Sequence, residues 1–133
     1  MKQLRIFLSA LCLLLCCGLC HGQNKAYDVF TPITKYLAQG NSEALSAWFA
    51  DNLQISVVSQ ESTASKSQAK QIVKSFFQSY TPRSFIITHT SGRFNMKYAL
   101  GELNAGGEMF HVTIFVSEKN GTFKIQQLKI ERS

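Results

Sequence analysis

The sequence predicts an α+β domain in which N-terminal helices pack on a strongly curved antiparallel sheet. Two observations predict this fold class. Helical periodicities fill the region between residues 27 and 82, with one strand-like segment among them. Four runs rich in β-branched and aromatic residues then follow, at residues 83–93, 96–104, 107–118 and 122–131. Because the helices precede the strands rather than alternate with them, the order favours an antiparallel sheet with helices on one face.

The N-terminus has the pattern of a signal peptide. Lys2 and Arg5 precede an apolar run of about 15 residues, and small residues follow in "CHG". We therefore expect residues 1–22 to be removed after Gly22 and residues 23–133 to form a single periplasmic or secreted domain. The run is shorter than the roughly 20 residues of a membrane helix, so we expect no stable membrane anchor after cleavage. Lipidation is the less favoured alternative, because Leu19 rather than a small residue precedes Cys20.

The four cysteines all lie within residues 11–23, inside the predicted signal peptide. The remaining chain therefore has no cysteine for a disulfide, a thiol nucleophile or a thiolate metal site. Removal of Lys2 and Arg5 leaves 12 basic against 8 acidic residues. Because these basic residues do not cluster with aromatic ones, we expect no nucleic-acid partner. No cofactor motif is present, and we expect no bound cofactor.

The first helix is predicted by three apolar residues at helical spacing, Phe30, Ile33 and Leu37. Asp28 or Thr31 can cap its start. Pro32 is tolerated only near that start, and Gly40 ends the helix.

A second, short helix is predicted by Leu45, Trp48 and Phe49, which would share one side of it. Asn41 or Ser42 is its expected cap. The following segment "LQISVVS" alternates like a strand.

The third helix has the clearest signals. Ser65 and Gln68 form a capping box, and Thr81 and Pro82 stop the helix. Its apolar stripe has helical periodicity and comprises Ala69, Ile72, Val73, Phe76, Phe77 and Tyr80.

Two-residue turns would set the register of the four C-terminal strands. Asn120-Gly121 is a strong hairpin signal between the last two. A turn at Phe94-Asn95 would pair Arg93 with Met96 and place His89 opposite Leu100. A turn at Ala105-Gly106 would pair Asn104 with Gly107 and place Leu100 opposite His111.

This register divides the strand residues between two faces. The first face would carry Phe85, Ile87, His89, Tyr98, Leu100, Glu102, Met109, His111, Thr113 and Phe115. The second would carry Ile86, Ala99, Gly101, Leu103, Phe110, Val112, Ile114 and Val116. The second face is the more apolar, so we expect it to pack on the helices. A slip of one residue would exchange the two faces.

Four segments carry a family resemblance: "YLAQGNSEALSAWFADNLQISV", "SKSQAKQIVKSFFQSYTPRSF", "YALGEL" and "IQQLKIERS". They resemble an uncharacterised family of small exported bacterial proteins, a domain of unknown function, within the nuclear transport factor 2-like (NTF2-like, cystatin-like) superfamily. The resemblance implies a cone-shaped α+β fold. It also implies a homodimer that buries the sheet, as is common in that superfamily. Some superfamily members are isomerases or dehydratases, but the resemblance brings no matching catalytic set to this chain.

The weak candidates for acid/base catalysis are His89, His111, Glu102 and Tyr98, on the first face. Glu102 would lie diagonal to both histidines and set their tautomers. The two histidines would stand about 10 Å apart across Leu100, too far to share an ion, so we expect partly buried sheet histidines with hydrogen-bonded rings and no metal site.

The candidates for an association surface are the apolar residues of the first face: Phe85, Ile87, Tyr98, Leu100, Met109 and Phe115. We therefore expect a non-catalytic binding or assembly module, homodimeric through its sheet. A cell-envelope protein partner or a small apolar ligand in the cone is a further possibility. The alternative is a small-molecule enzyme, of the isomerase or dehydratase kind, that uses the cone pocket.

Two further patterns have ordinary explanations. Lys66, Lys70 and Lys74 form a stripe on the polar side of the third helix, which is typical of a solvated helix face. Asn120-Gly121-Thr122 fits a glycosylation acceptor, but its role as a turn accounts for it.

Overall fold

The computed structural model describes residues 28–133. Within them, the helices are α1 (Phe30–Gln39), α2 (Ser42–Ser46) and α3 (Lys66–Ser79). The strands are β1 (Phe49–Val57), β2 (Gln60–Ser65), β3 (Pro82–Arg93), β4 (Met96–Ala105), β5 (Glu108–Lys119) and β6 (Thr122–Arg132). None of these helices is long and apolar enough to cross a bilayer. The predicted signal peptide and all four cysteines lie outside the described residues.

Helix α1 ends at Gly40 as predicted, while Val29 occupies its N-cap position without a side-chain hydrogen bond and Asp28, one of the two predicted caps, contacts the first turn. The Asp28 carboxylate accepts a hydrogen bond from the amide of Phe30 at 2.9 Å. Gly40 has a φ of 66° at the end of the helix, a conformation that costs glycine little. The amides of Gly40 and Asn41 donate to the carbonyls of Leu37 and Tyr36, which satisfies the last turn.

Helix α2 is shorter than predicted. Asn41 caps it as expected, since its side chain accepts a hydrogen bond from the amide of Ala44 at 3.0 Å. The helix nevertheless ends at Ser46, and Phe49 begins β1. Phe49 pairs with Ile125 on β6, and the Trp48 carbonyl accepts a hydrogen bond from the Ile125 amide at 2.6 Å. Long-range strand pairing therefore replaces the local helical pattern.

Helix α3 confirms its prediction. The Ser65 hydroxyl accepts from the amide of Gln68 at 3.2 Å, and the Gln68 side chain accepts from the amide of Ser65 at 3.0 Å. The helix buries Ala69, Val73, Phe76 and Phe77, while Ile72 and Tyr80 are partly buried against the same core.

The six strands form one sheet in the order β2-β1-β6-β5-β4-β3. Four of its pairings are antiparallel, but β1 and β6 run parallel, so the sheet is mixed rather than purely antiparallel. Strand β2 was not predicted. Its sequence "QESTAS" lacks apolar alternation because it is an edge strand that buries Ala64 alone.

The four C-terminal strands lie within one residue of their predicted bounds. Turns at Phe94-Asn95 and Asn120-Gly121 are confirmed. The remaining turn falls on Gly106-Gly107, with φ of 60° and 80°, rather than on Ala105-Gly106. A turn with two positive φ values favours two glycines over alanine and glycine.

This turn shifts the predicted pairing of β4 and β5 by two residues. His111 lies opposite Glu102, and Leu100 lies opposite Thr113. The prediction that Leu100 faces His111 was therefore wrong. Because the shift is an even number, both residues stay on their predicted faces.

A bulge in β3 corrects the faces of three residues. The pairing shifts between Ile87 and His89, which leaves Thr88 as the extra residue. His89 still lies opposite Leu100, as predicted, but Phe85 lies opposite Leu103 and is buried. Ile87 also packs against the core, whereas Ile86 points away from it and is 64% exposed. Phe85 and Ile87 were thus assigned to the wrong face.

The core lies between the helices and one face of the sheet. Phe110, Val112 and Ile114 are at most 1% exposed on that face. The ring of Phe76 on α3 meets the ring of Phe110 at a centroid distance of 5.1 Å. The apolar face therefore packs under the longest helix, as the sequence predicts.

Candidate functional site

The face of the sheet opposite the helices, which carries Leu100, Thr113 and Lys129, is here called the outer face. Its residues stand in rows across strands β3, β4, β5 and β6. The rows are Ile86, Glu102, His111 and Glu131; His89, Leu100, Thr113 and Lys129; Ser91, Tyr98, Phe115 and Gln127; and Arg93, Met96, Ser117 and Lys124. The first is called the acidic row and the last the basic row.

Apolar side chains cover the centre of this face. Ile86, Met96, Tyr98, Leu100 and Met109 are exposed, between 41% and 64%, and Phe115 is half-buried beside them. We call these six residues the apolar patch. The rings of Tyr98 and Phe115 lie 5.1 Å apart across the strands. Four of the predicted association residues, Tyr98, Leu100, Met109 and Phe115, thus lie together, while Phe85 and Ile87 lie in the core.

The structure places the four catalytic candidates on the outer face as well. Glu102 and His111 are directly paired, and His89 lies one row away, opposite Leu100. His89, His111, Glu102 and Tyr98 are all exposed, so the prediction that the two histidines are partly buried was wrong. None of them reaches the interior of the cone. Within residues 28–133, no group of three or more His, Cys, Asp or Glu side chains is placed to hold a metal ion.

The interior of the cone is filled by side chains. Tyr80 packs on Phe76 and Phe110 with ring centroids 5.2 Å away from each. Arg132 lies over the Tyr80 ring and donates hydrogen bonds to the Tyr80 hydroxyl at 2.6 Å and to Glu108 at 3.0 Å. Aromatic packing and this arginine therefore fill the space between the end of α3 and strands β5 and β6.

A pocket of about 500 Å³ lies to the side, between α3 and the β1–β2 hairpin. Its apolar lining comes from Val57, Ile72, Phe76 and Tyr80, and its acidic group is Glu61. None of the four catalytic candidates lines this pocket.

Sequence reasoning missed a second feature of the outer face, a depression over β2, β1 and β6. It is lined mainly by hydrogen-bonding side chains, among them Gln54, Ser56, Thr63 and Gln127. The alternation of Gln54 and Ser56 with Leu53 and Ile55 is the signal that places them on the outer face. Their neighbours were not predictable, because β2 and the β1–β6 pairing were not predicted.

The lysine stripe of α3 takes part in one ion pair. Lys70 contacts the Glu43 carboxylate of α2. The hydrogen bond from Lys70, together with its charge, lowers the pKa of Glu43 below its ordinary value. Lys70 therefore ties two helices together, which gives this part of the stripe a structural role.

Comparison with known proteins identifies relatives of this chain. The family model described as "Domain of unknown function (DUF4783)" matches residues 30–131. No curated protein matches the sequence.

Several solved structures are similar to this chain. A DUF4783 family protein from Bacteroides uniformis has 22% identity and a TM-score of 0.76, covering 80% of this chain and 98% of that one. One from Bacteroides fragilis has 18% identity and a TM-score of 0.75, covering 80% and 100%. A provisionally assigned dehydratase of the NTF2-like family from Streptomyces avermitilis has 12% identity and a TM-score of 0.61, covering 77% and 89%. At these identities the likeness establishes the fold, which is the NTF2-like cone.

Proposed function

The chain belongs to the DUF4783 family, because the family model matches residues 30–131. We propose that the protein is an exported, non-catalytic assembly module that forms a homodimer through its outer face. The observation that carries this proposal is the apolar patch. Five large apolar side chains, each at least 41% exposed, lie on a regular sheet surface. Contiguous exposed patches of this kind mark association sites, because water contact with them is unfavourable.

The charges around the patch favour a second copy of the same chain as the occupant. Glu102 and Glu131 lie toward one end of the outer face, and Arg93 and Lys124, whose ammonium also donates to the Ala47 carbonyl, lie at the other. Consider a two-fold axis that lies in the plane of the interface and runs perpendicular to the strands. This axis places the acidic row of one copy over the basic row of its partner. The same axis lays the row of Leu100 over the row of Tyr98. The face is therefore complementary to itself, as a symmetric dimer interface must be.

The size of the face is close to the lower limit for a stable interface. The two-fold axis described above superposes four rows of β3–β6, from Ile86 and Glu102 to Arg93 and Met96. With rows about 6.8 Å apart and four strands about 4.8 Å apart, the overlapping area measures roughly 520 Å². Stable interfaces bury roughly 600–1,000 Å² on each partner.

The experiment compares the mass of the native protein with that of Leu100→Glu. The protein is expressed from the full chain and recovered from the cell-envelope fraction or the medium. We expect light scattering to give the mass of a dimer at a protein concentration of about 100 μM. Mass spectrometry of the intact chain should give a mass that corresponds to loss of residues 1–22. Leu100→Glu should be a folded monomer, because the interface would bury an unpaired carboxylate in each copy.

The matched control is Gln78→Glu, which adds the same charge on the exposed side of α3. It should remain a dimer. A monomeric native protein, or a dimer that persists in both Leu100→Glu and Phe115→Glu, would reject this surface. If the protein is instead found inside the cell with residues 1–22 still attached, the proposal of export is wrong.

A further inference from the structure

Two cavities on the outer face meet over β1 and β6. The first, of about 270 Å³, is lined by Gln54, Ser56, Glu61, Thr63, Gln127 and Lys129, among others. The second, of about 380 Å³, shares Gln54, Thr63 and Gln127 with it and extends to Asn52, Gln126 and Phe115. We call the two together the polar groove. Each is close to the size of a small-molecule site, roughly 300–1,000 Å³.

Irregular strand pairing accompanies the groove. The register of β1 against β6 breaks between Phe49 and Gln54. The pairing of β5 with β6 shifts beside Phe115, which leaves Gln126 as an extra residue next to Gln127. Such bulges bend a sheet and redirect side chains, and they are frequent at binding sites.

The lining has the chemistry of a site for a neutral, hydroxyl-rich ligand. Carboxamides and hydroxyls each donate and accept hydrogen bonds, which matches a ligand whose hydroxyl groups do the same. The charged residues of the first cavity are Glu61 and Lys129, which are opposite in sign. The Lys129 ammonium nitrogen also lies 3.4 Å from the Glu131 carboxylate oxygen Oε1. The groove therefore lacks the concentrated single charge that a phosphate or a metal ion requires.

Ser56 supplies an independent sign of a missing partner. It is 7% exposed, and among the described residues its hydroxyl has no hydrogen-bond partner. In the register it stands between Glu61 on β2 and Lys129 on β6, on the floor of the first cavity. A buried hydroxyl without a partner is unfavourable, and rotation of the Ser56 side chain toward the cavity would let a polar ligand satisfy it.

Phe115 gives the groove an apolar wall. Its half-buried ring lines the second cavity next to Gln54 and Gln127. The faces of sugar rings carry C–H groups, and a flat aromatic ring is a suitable surface for them. From the amides, the unpartnered Ser56 hydroxyl and the aromatic wall, we infer that the polar groove binds a neutral oligosaccharide.

The test is an NMR titration of the full-chain protein with maltotriose, cellotriose and triacetylchitotriose as probes. At least one should shift the side-chain amide signals of Gln54, Gln126 and Gln127, with saturation below about 20 mM. Gln127→Leu removes a donor and an acceptor while keeping the size of the side chain. It should weaken binding about tenfold, the effect of losing one or two hydrogen bonds.

Gln78→Leu makes the same change on the exposed side of α3 and should leave the affinity unchanged. If none of the three probes shifts these signals, or if Gln127→Leu binds as tightly as the native protein, the assignment is overturned. Shifts produced by diglycine but by none of the sugars would make the groove a peptide site instead. Phe115, Gln127 and Lys129 also lie on the face proposed to dimerise, so the titration is repeated on the monomeric Leu100→Glu variant. This variant should bind the probe at least as tightly as the native protein, and an absence of shifts in both proteins would overturn the groove without affecting the dimer.

Discussion

Because Gly101 has no Cβ atom, the Phe85 ring can lie directly against the backbone of β4. A Cβ atom at position 101 would come within 2.5 Å of the Phe85 ring and 2.7 Å of the Ile86 carbonyl oxygen. Both distances are well below van der Waals contact, and the second involves backbone that cannot rotate away. We expect Gly101→Ala to lower the free energy of unfolding by about 1–3 kcal/mol, measured by urea denaturation.

The control for Gly101→Ala is Gly107→Asn. Position 107 has open space around it and a φ of 80°, which asparagine tolerates better than other residues. Because any side chain at this φ carries some strain, this variant should lose at most about 1 kcal/mol, less than Gly101→Ala. Equal stabilities for Gly101→Ala and the native protein would show that Phe85 and the β3 backbone are free to move.

At this scale the sequence predicts burial well where strands are regular. Phe110, Val112 and Ile114 alternate without interruption, and all three are buried as expected. Phe85 and Ile87 were assigned to the wrong face because Thr88 is an extra residue. The Thr88 hydroxyl donates to the Leu100 carbonyl at 3.2 Å, a contact twelve residues away that no local pattern reveals.

Among the elements, α3 depends most clearly on its cap. The Ser65 hydroxyl satisfies the amide of Gln68, which otherwise has no partner within the helix. Ser65→Ala should lower the free energy of unfolding by about 1 kcal/mol. Ser75→Ala, at an exposed position in the middle of α3, should be neutral or slightly stabilising because alanine favours helix. Chemical denaturation followed by circular dichroism measures both, and an equal loss in the two variants would contradict a specific capping role.

The elements that the sequence predicts well carry their own signals. Helix α3 has a capping box and an apolar stripe, and β5 and β6 have Asn120-Gly121 between them. Strand β2 has no such signal, because an edge strand with one buried residue needs little apolar character. Phe49 belongs to β1 for a similar reason, since its partner Ile125 lies far along the chain.

At the scale of the whole molecule, most of the apolar patch was predictable from the sequence, whereas the polar groove was not. The apolar patch lies on β3, β4 and β5, consecutive strands whose turns can be located in the sequence, so four of its residues were predictable. The polar groove depends on β1 running parallel to β6 and on β2 at the edge. These pairings follow from how the whole chain packs, and residue patterns alone do not specify them.

The orientation of the proposed dimer is the last property that belongs to the whole molecule. If the two-fold axis runs across the strands, Glu102 of each copy lies near Arg93 of the other. Arg93→Glu and Glu102→Arg should then each weaken the dimer about fivefold, since two exposed ion pairs are lost by symmetry. The double variant restores opposite charges at both ends and should recover most of the native affinity, measured by analytical ultracentrifugation at low salt.

If the axis instead runs along the strands, the acidic rows face each other. Glu102→Arg alone would then tighten the dimer, because each arginine would meet an acidic row that previously repelled its counterpart.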